Sequence, residues 1–227
     1  MSRDKSIIVL YLLTVFSLFS TLEVSAETYQ SMSGQSKAAL SLQKGKNEAA
    51  PGIIITEHEK DEITSQTGDV TIDYVPNFNF ILNRIENGIG YYEMQLKDKA
   101  ASFLQVSDRS GTGGGWTLDL TVKPFIGEKG SRLTSGTLIF HQIVLDKKAT
   151  NVSKSPVFEK KIIYSIGEKS QSQPLIIANK GEGLFNWALK FEKEKKGLVT
   201  MEVPLEGNKT DRYTSTFLWQ LLATPVD

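Results

Sequence analysis

Apolar and polar residues alternate strictly around each tryptophan of this chain, and no other feature constrains its fold as much. Trp116, Leu118, Leu120 and Val122 fall on one side of an extended backbone, with Thr117, Asp119, Thr121 and Lys123 on the other. The pattern returns where Trp187, Leu189 and Phe191 oppose Asn186 and Lys190, and where Phe217, Trp219 and Leu221 oppose Thr216 and Gln220. These are the 3 tryptophans of the chain, and each is followed two residues later by leucine. A strand with one apolar face must lay that face on a second layer. Further strands are expected at Val70 to Val75, Phe103 to Val106, Gly136 to Leu145, Lys161 to Ile166, Leu175 to Ala178 and Leu198 to Val203. No helical periodicity runs beyond about ten residues, so the expected fold is all-β, an antiparallel β-sandwich with a disordered N-terminal leader.

Three segments are expected. Residues 1–26 read as a secretory signal peptide: Arg3 and Lys5 precede the apolar stretch Ile7 to Phe19, and Val24-Ser25-Ala26 closes it. Residues 27–65, rich in Ser, Gln, Lys, Glu and Ala, read as a disordered or extended leader in which a weak strand at Ile53 to Thr56 is the one apolar interruption. Residues 66–227 read as the folded domain. No stretch reaches the ~20 apolar residues a membrane-spanning helix needs, so no transmembrane segment is expected in the mature chain. Leu221 to Asp227 carries no apolar tail, and no LPxTG pentapeptide occurs, so attachment to a surface is expected to be non-covalent.

Composition narrows the chemistry. With no cysteine, the chain has no disulfide, thiol nucleophile, thiolate metal site or lipidated cysteine, and its fold must rest on apolar burial. Lys plus Arg equals Asp plus Glu at 26 each, which gives no basic face for nucleic acid. The run Gly111-Thr112-Gly113-Gly114-Gly115-Trp116 lacks the Lys-Ser/Thr ending of a phosphate loop, and it has Trp116 where a dinucleotide fingerprint has its third glycine. It is expected to turn the chain sharply before a strand, as Gly181-Glu182-Gly183 does before Trp187. The 2 histidines, His58 and His141, are too few for a His-rich metal site and offer little for a hydrolase triad. Asp108 and Asp119 have no enzyme signature around them. No catalytic residue, metal or cofactor is therefore expected.

Asp108 and Arg109, just before the glycine run, suit a buried ion pair or a turn cap, and structural service outweighs ligand contact. Tyr91 and Tyr92 face opposite sides if extended. For the tryptophans two roles compete: a large aromatic filling a core, and an indole stacking on a sugar ring. Alternation favours the core.

Taken together, Val106 to Leu118 with its glycine run, Gly181-Glu182-Gly183 leading to Trp187-Ala188-Leu189, and Tyr213 to Leu221 with Pro225 resemble the WxL domain of Gram-positive surface proteins. The resemblance covers roughly Gly68 to Asp227, beginning at Thr71-Ile72-Asp73-Tyr74-Val75-Pro76. It implies a secreted, non-enzymatic protein held at the cell wall by binding peptidoglycan, often beside a membrane-anchored WxL-interacting companion. The family motifs map onto Trp116 with Leu118 and Trp219 with Leu221, while Trp187 and Leu189 belong to the intervening strand. Phe217-Leu218 makes the approach to the last motif more apolar than is usual in the family. Asp108, Arg109, Gly113, Gly114 and Gly115 are expected in support: the motif strands lie side by side, pin the core and shape a surface from these loops. An alternative role is an interaction subunit that reaches the wall indirectly, through the companion or a host matrix protein.

Overall fold

Alternation at the tryptophans becomes three strands that meet in one core. The computed structural model describes residues 34–40, 50–58, 62–96, 100–159, 161–194 and 196–223, all within the unit Ser31–Asp227. The expected signal peptide lies outside the described residues. The strands are β1 (Gly34–Leu40), β2 (Val70–Tyr74), β3 (Asn79–Glu86), β4 (Ile89–Met94), β5 (Phe103–Asp108), β6 (Trp116–Val122), β7 (Ile126–Gly127) and β8 (Gly136–Phe140). They continue with β9 (Val144–Asp146), β10 (Ile162–Ile166), β11 (Gln171–Ala178), β12 (Phe185–Lys190), β13 (Glu192–Lys193), β14 (Lys196–Gly197), β15 (Val199–Pro204) and β16 (Tyr213–Ala223). Among the described residues a 10-stranded sheet runs β10-β8-β15-β4-β3-β1-β16-β6-β11, with β7 pairing β16 beside that path. A 4-stranded sheet runs β2-β5-β12-β9, and β13 and β14 form a small hairpin.

The two sheets share one apolar core, as a sandwich requires. Leu118, Leu120, Phe217 and Trp219 of the larger sheet are buried in the same cluster as Ile72, Leu104, Val106, Trp187 and Leu189 of the smaller one. Phe191, just beyond β12, spans the layers: its ring lies 6.2 Å from that of Trp219 and 5.3 Å from Phe78. Edge-to-face and tilted rings at such distances add to the area they bury.

Pairing is antiparallel throughout the named strands except between β1 and β16, which run parallel from Gly34 beside Tyr213 to Leu40 beside Trp219. β3 and β4 form a hairpin through Asn87 and Gly88, at φ 49° and 74°. Two consecutive positive φ values define the turn whose twist matches its flanking strands, and Asn-Gly is its preferred sequence.

The structure departs from the sequence reading in two places. Gly136 to Leu145, expected as one strand, divides at His141. β8 stays in the large sheet and β9 joins β12 in the small one, while Ile143 between them turns into the core. The expected strand Leu175 to Ala178 begins earlier, at Gln171, and its register slips between Pro174 and Ile176, because proline has no N–H to give the ladder. The segment read as a disordered or extended leader contributes β1, an extended piece of chain. It also sends Ile53, Ile54, Ile55 and Ile63 against Tyr74, Phe103 and Ala188 on the outer face of the small sheet. Ile53 to Thr56 forms no strand. The Ile54 N–H instead donates to Gln105 Oε1 at 2.8 Å.

The two terminal strands of the large sheet lie close together. Gln173 Nε2 of β11 donates to the Ile163 carbonyl of β10 at 2.7 Å. The remaining β11 edge is covered by Val157, which exchanges two backbone bonds with Ile177, at 2.7 and 2.9 Å. Edges closed in this way are poor templates for other chains.

Candidate functional site

The two motif strands are hydrogen-bonded neighbours. β6 and β16 run antiparallel with Leu118 opposite Leu221 and Leu120 opposite Trp219. Trp187 and Leu189 lie on β12, in the facing sheet, so two of the three Trp-x-Leu strands are side by side and the third packs over them. Trp116, Leu118 and Trp219 have no exposed surface, Trp187 and Leu189 are as deeply buried, and Leu221 is partly buried against the same core. None of the three indoles presents a face to a ligand. They lie in the core between the layers that carry the loops.

Trp116 also joins two loops. Its Nε1–H donates to the Gly183 carbonyl at 3.1 Å, and the Gly181 N–H donates to the Gly113 carbonyl at 2.8 Å. The glycines are dictated by this approach. A Cβ on Gly115 (φ 88°) would sit 2.3 Å from the Ala178 carbonyl oxygen, and one on Gly183 (φ 72°) would sit 2.7 Å from Trp116 Nε1. Gly114 is half-buried between them. The sequence marks both glycine groups as turns, but the contact between them is visible only once β6 and β12 are placed.

Asp108 is buried and caps the start of the first loop, accepting the Ser110 N–H at 2.9 Å and its hydroxyl at 2.6 Å. The Ser110 and Thr112 hydroxyls stand 2.9 Å apart, and Thr112 Oγ1 accepts the Gly114 N–H at 3.3 Å. The loop thus satisfies much of its own polar chemistry. Arg109 reaches back across the small sheet, its Nη2 donating to the Gly68 carbonyl at 2.8 Å. Asp108 thus bonds the loop that follows it and Arg109 the turn ahead of β2.

Beneath Arg109 lies a buried polar cluster that alternation alone does not reveal. Asp73 accepts hydrogen bonds from Thr71 (2.6 Å), Gln105 (2.6 Å) and the Ser107 hydroxyl, and Asn186 Nδ2 donates to Ser107 Oγ at 2.6 Å. Burial raises the Asp73 pKa above the ordinary carboxylate value, against the opposing pull of its donors and of Arg109. Gln105 Nε2 also donates to the Gly52 carbonyl at 3.2 Å, so the cluster fastens the segment that covers it. Its polar atoms are spent on internal bonds, which marks it as structural.

Opposite the glycine loops, at the far end of the motif strands, the surface opens. Lys123 and Pro124 follow β6, Ile126 lies on β7, and Thr214 to Thr216 begin β16; with Arg132 they line a groove of about 600 Å³. Lys123 and Arg132 are exposed, and no carboxylate among the described residues pairs with either. Among the described residues no aromatic side chain lines the groove. Here the Lys123 N–H donates to the Thr216 carbonyl at 3.1 Å and the Lys123 carbonyl accepts the Ser215 hydroxyl at 2.5 Å, while Ile126 pairs with both Arg132 and Thr214, so the lining residues are brought together. His141 plays no part; its Nε2 lies 2.9 Å from Thr200 Oγ1 on β15.

The fold is a two-layer β-domain whose Trp-x-Leu strands are buried, and its described residues hold no cluster of metal-ligating side chains. The family model described as WxL domain surface cell wall-binding matches residues 29–225, and the chain belongs to that family. It is accordingly a wall-associated protein of the cell surface. No curated protein and no solved structure matches the chain. The match begins ahead of β1, in keeping with the strand that Gly34–Leu40 adds beside β16.

Proposed function

We propose that this is a secreted protein of a Gram-positive surface that attaches non-covalently to the wall by binding peptidoglycan, without catalysis. The family match across residues 29–225 carries the reading. The geometry adds a division of labour. Trp116, Leu118, Trp187, Leu189, Trp219 and Leu221 hold the layers together, while Asp108, Arg109, Gly113 to Gly115 and the indole N–H groups of Trp116 and Trp187 fix the loops, so ligand contact falls to exposed groups at the ends of the motif strands.

Binding of the purified protein to bare sacculi tests the reading, because an indirect binder stays in the supernatant until a companion protein is added. The division of labour has its own test in Trp116→Ala and Trp219→Ala. Emptying a buried aromatic site costs about 3–5 kcal/mol, so both variants should lose thermal stability and sacculus binding together. Lost binding at an unchanged melting temperature would show that the indoles touch the ligand after all.

A further inference from the structure

The geometry points to the groove between the end of β6 and the start of β16 as the site that takes the carboxylate-bearing stem peptides of peptidoglycan. This rests on the wall-binding reading and says which portion of the polymer is held, and by which residues.

The groove has the size of a small-ligand pocket, about 600 Å³, enough for a short peptide. Its charge is one-sided, although the chain as a whole carries equal numbers of acidic and basic residues. Neighbouring charges are already engaged: Arg212 Nη1 stands 3.7 Å from Glu128, and Asp211 accepts the Ser131 hydroxyl at 2.7 Å. Lys123 and Arg132 are left facing the opening, and the Thr216 hydroxyl has no hydrogen-bond partner among the described residues. Two cations and a free hydroxyl suit an oxyanion, and a guanidinium can hold a carboxylate with two parallel bonds.

The rest of the lining selects among anionic wall components. Pro124 and the 38% exposed Ile126 give apolar surface on which small methyl side chains can rest. The described lining offers no aromatic ring on which a sugar could stack. Methyl side chains and a free carboxylate on one short peptide describe the stem better than the glycan strand. A polymer that offered only phosphodiesters would use the cations and leave the apolar floor idle.

The test uses the full secreted chain with Lys123→Gln, Arg132→Gln and the double variant, assayed by co-sedimentation with three preparations: intact sacculi, sacculi stripped of phosphate-bearing polymers, and sacculi whose stems an amidase has removed. Both side chains are exposed and pair with no carboxylate among the described residues, so melting temperatures should match the parent, and Lys123→Arg should retain binding. The double variant is expected to bind intact sacculi about tenfold or more weakly. The parent should keep its affinity for phosphate-stripped walls and lose it for amidase-treated walls. A synthetic stem pentapeptide ending in D-Ala–D-Ala should compete with binding of the parent. Undiminished binding by the double variant would overturn the groove and leave wall binding standing. Loss of binding on phosphate-stripped walls would overturn the stem peptide in favour of a phosphodiester polymer. A parent protein that sediments with no wall preparation would overturn the wall-binding reading, and this inference with it.

Discussion

Gly111 and Gly115 share a positive φ, at 68° and 88°, but not a neighbourhood. Nothing stands within 4 Å of the place a Cβ would take on Gly111, whereas on Gly115 it would meet the Ala178 carbonyl oxygen at 2.3 Å. Gly111→Ala should therefore cost only the left-handed backbone penalty, about 1–2 kcal/mol. Gly115→Ala adds a collision that must move β11 or the loop, and the total should reach about 3 kcal/mol or more. Chemical denaturation of the two variants checks this, and equal losses would refute the close approach. The sequence shows that a glycine run precedes Trp116. It does not show that the run packs on Gly181 and Gly183, because nothing local encodes a contact between residues so far apart. The groove is hidden for a similar reason: Lys123 and Arg132 each look like ordinary surface cations until β7 folds back on β16.

At the scale of the element, the strands bearing tryptophan were the most legible, because large apolar residues at strict period two leave one face to bury. The β3–β4 hairpin carries an equally local signal in Asn87-Gly88, yet it is absent from the strands read off the pattern; its outer residues, Ile81 and Ile85 among them, are exposed, which blurs the alternation. β1 had no such signal, since Gly-Gln-Ser-Lys-Ala-Ala-Leu alternates in neither size nor polarity and takes its place through backbone pairing. The break between β8 and β9 was illegible because Ile139, Phe140, Ile143 and Val144 are apolar on both sides of a change of sheet. Edge protection is also a property of elements. The Val157 N–H donates to the Ile177 carbonyl at 2.7 Å, so Val157→Pro removes that bond and should cost about 1–2 kcal/mol. It should also expose the β11 edge, so light scattering on standing is expected to rise above that of the parent. A variant as stable and monodisperse as the parent would argue that the edge needs no cover.

For the whole molecule, titration has a definite sign. Desolvation raises the pKa of Asp73 and of Asp119 above the ordinary value of 3.8. A carboxyl raised in the folded state holds its proton longer there than in the unfolded chain. Its contribution is fully present below pH 3.8 and is lost as pH rises through the folded pKa. Asp211 works the other way: the Ser131 hydroxyl heads the donors that lower its pKa, so its contribution is lost as pH falls. Asp119 Oδ1 is buried on the outer face of β6 with no hydrogen-bond partner among the described residues. Asp119→Asn should therefore flatten the decline in stability between the ordinary carboxylate range and neutrality. Denaturation midpoints measured at a series of pH values check this, and parallel profiles for parent and variant would contradict it.

The parallel ladder between β1 and β16 has a mechanical meaning for a protein that works at a surface. Gly34 lies beside Tyr213 and Leu40 beside Trp219. Tension entering the chain ahead of β1 and leaving it after β16 therefore pulls the two strands lengthwise past each other. Under such shear the seven residue pairs of the ladder share the load and must yield together, whereas in a hairpin pulled open they would separate in succession. The strand least visible in the sequence thus grips the Trp219 strand along its length, in the geometry that resists a lengthwise pull.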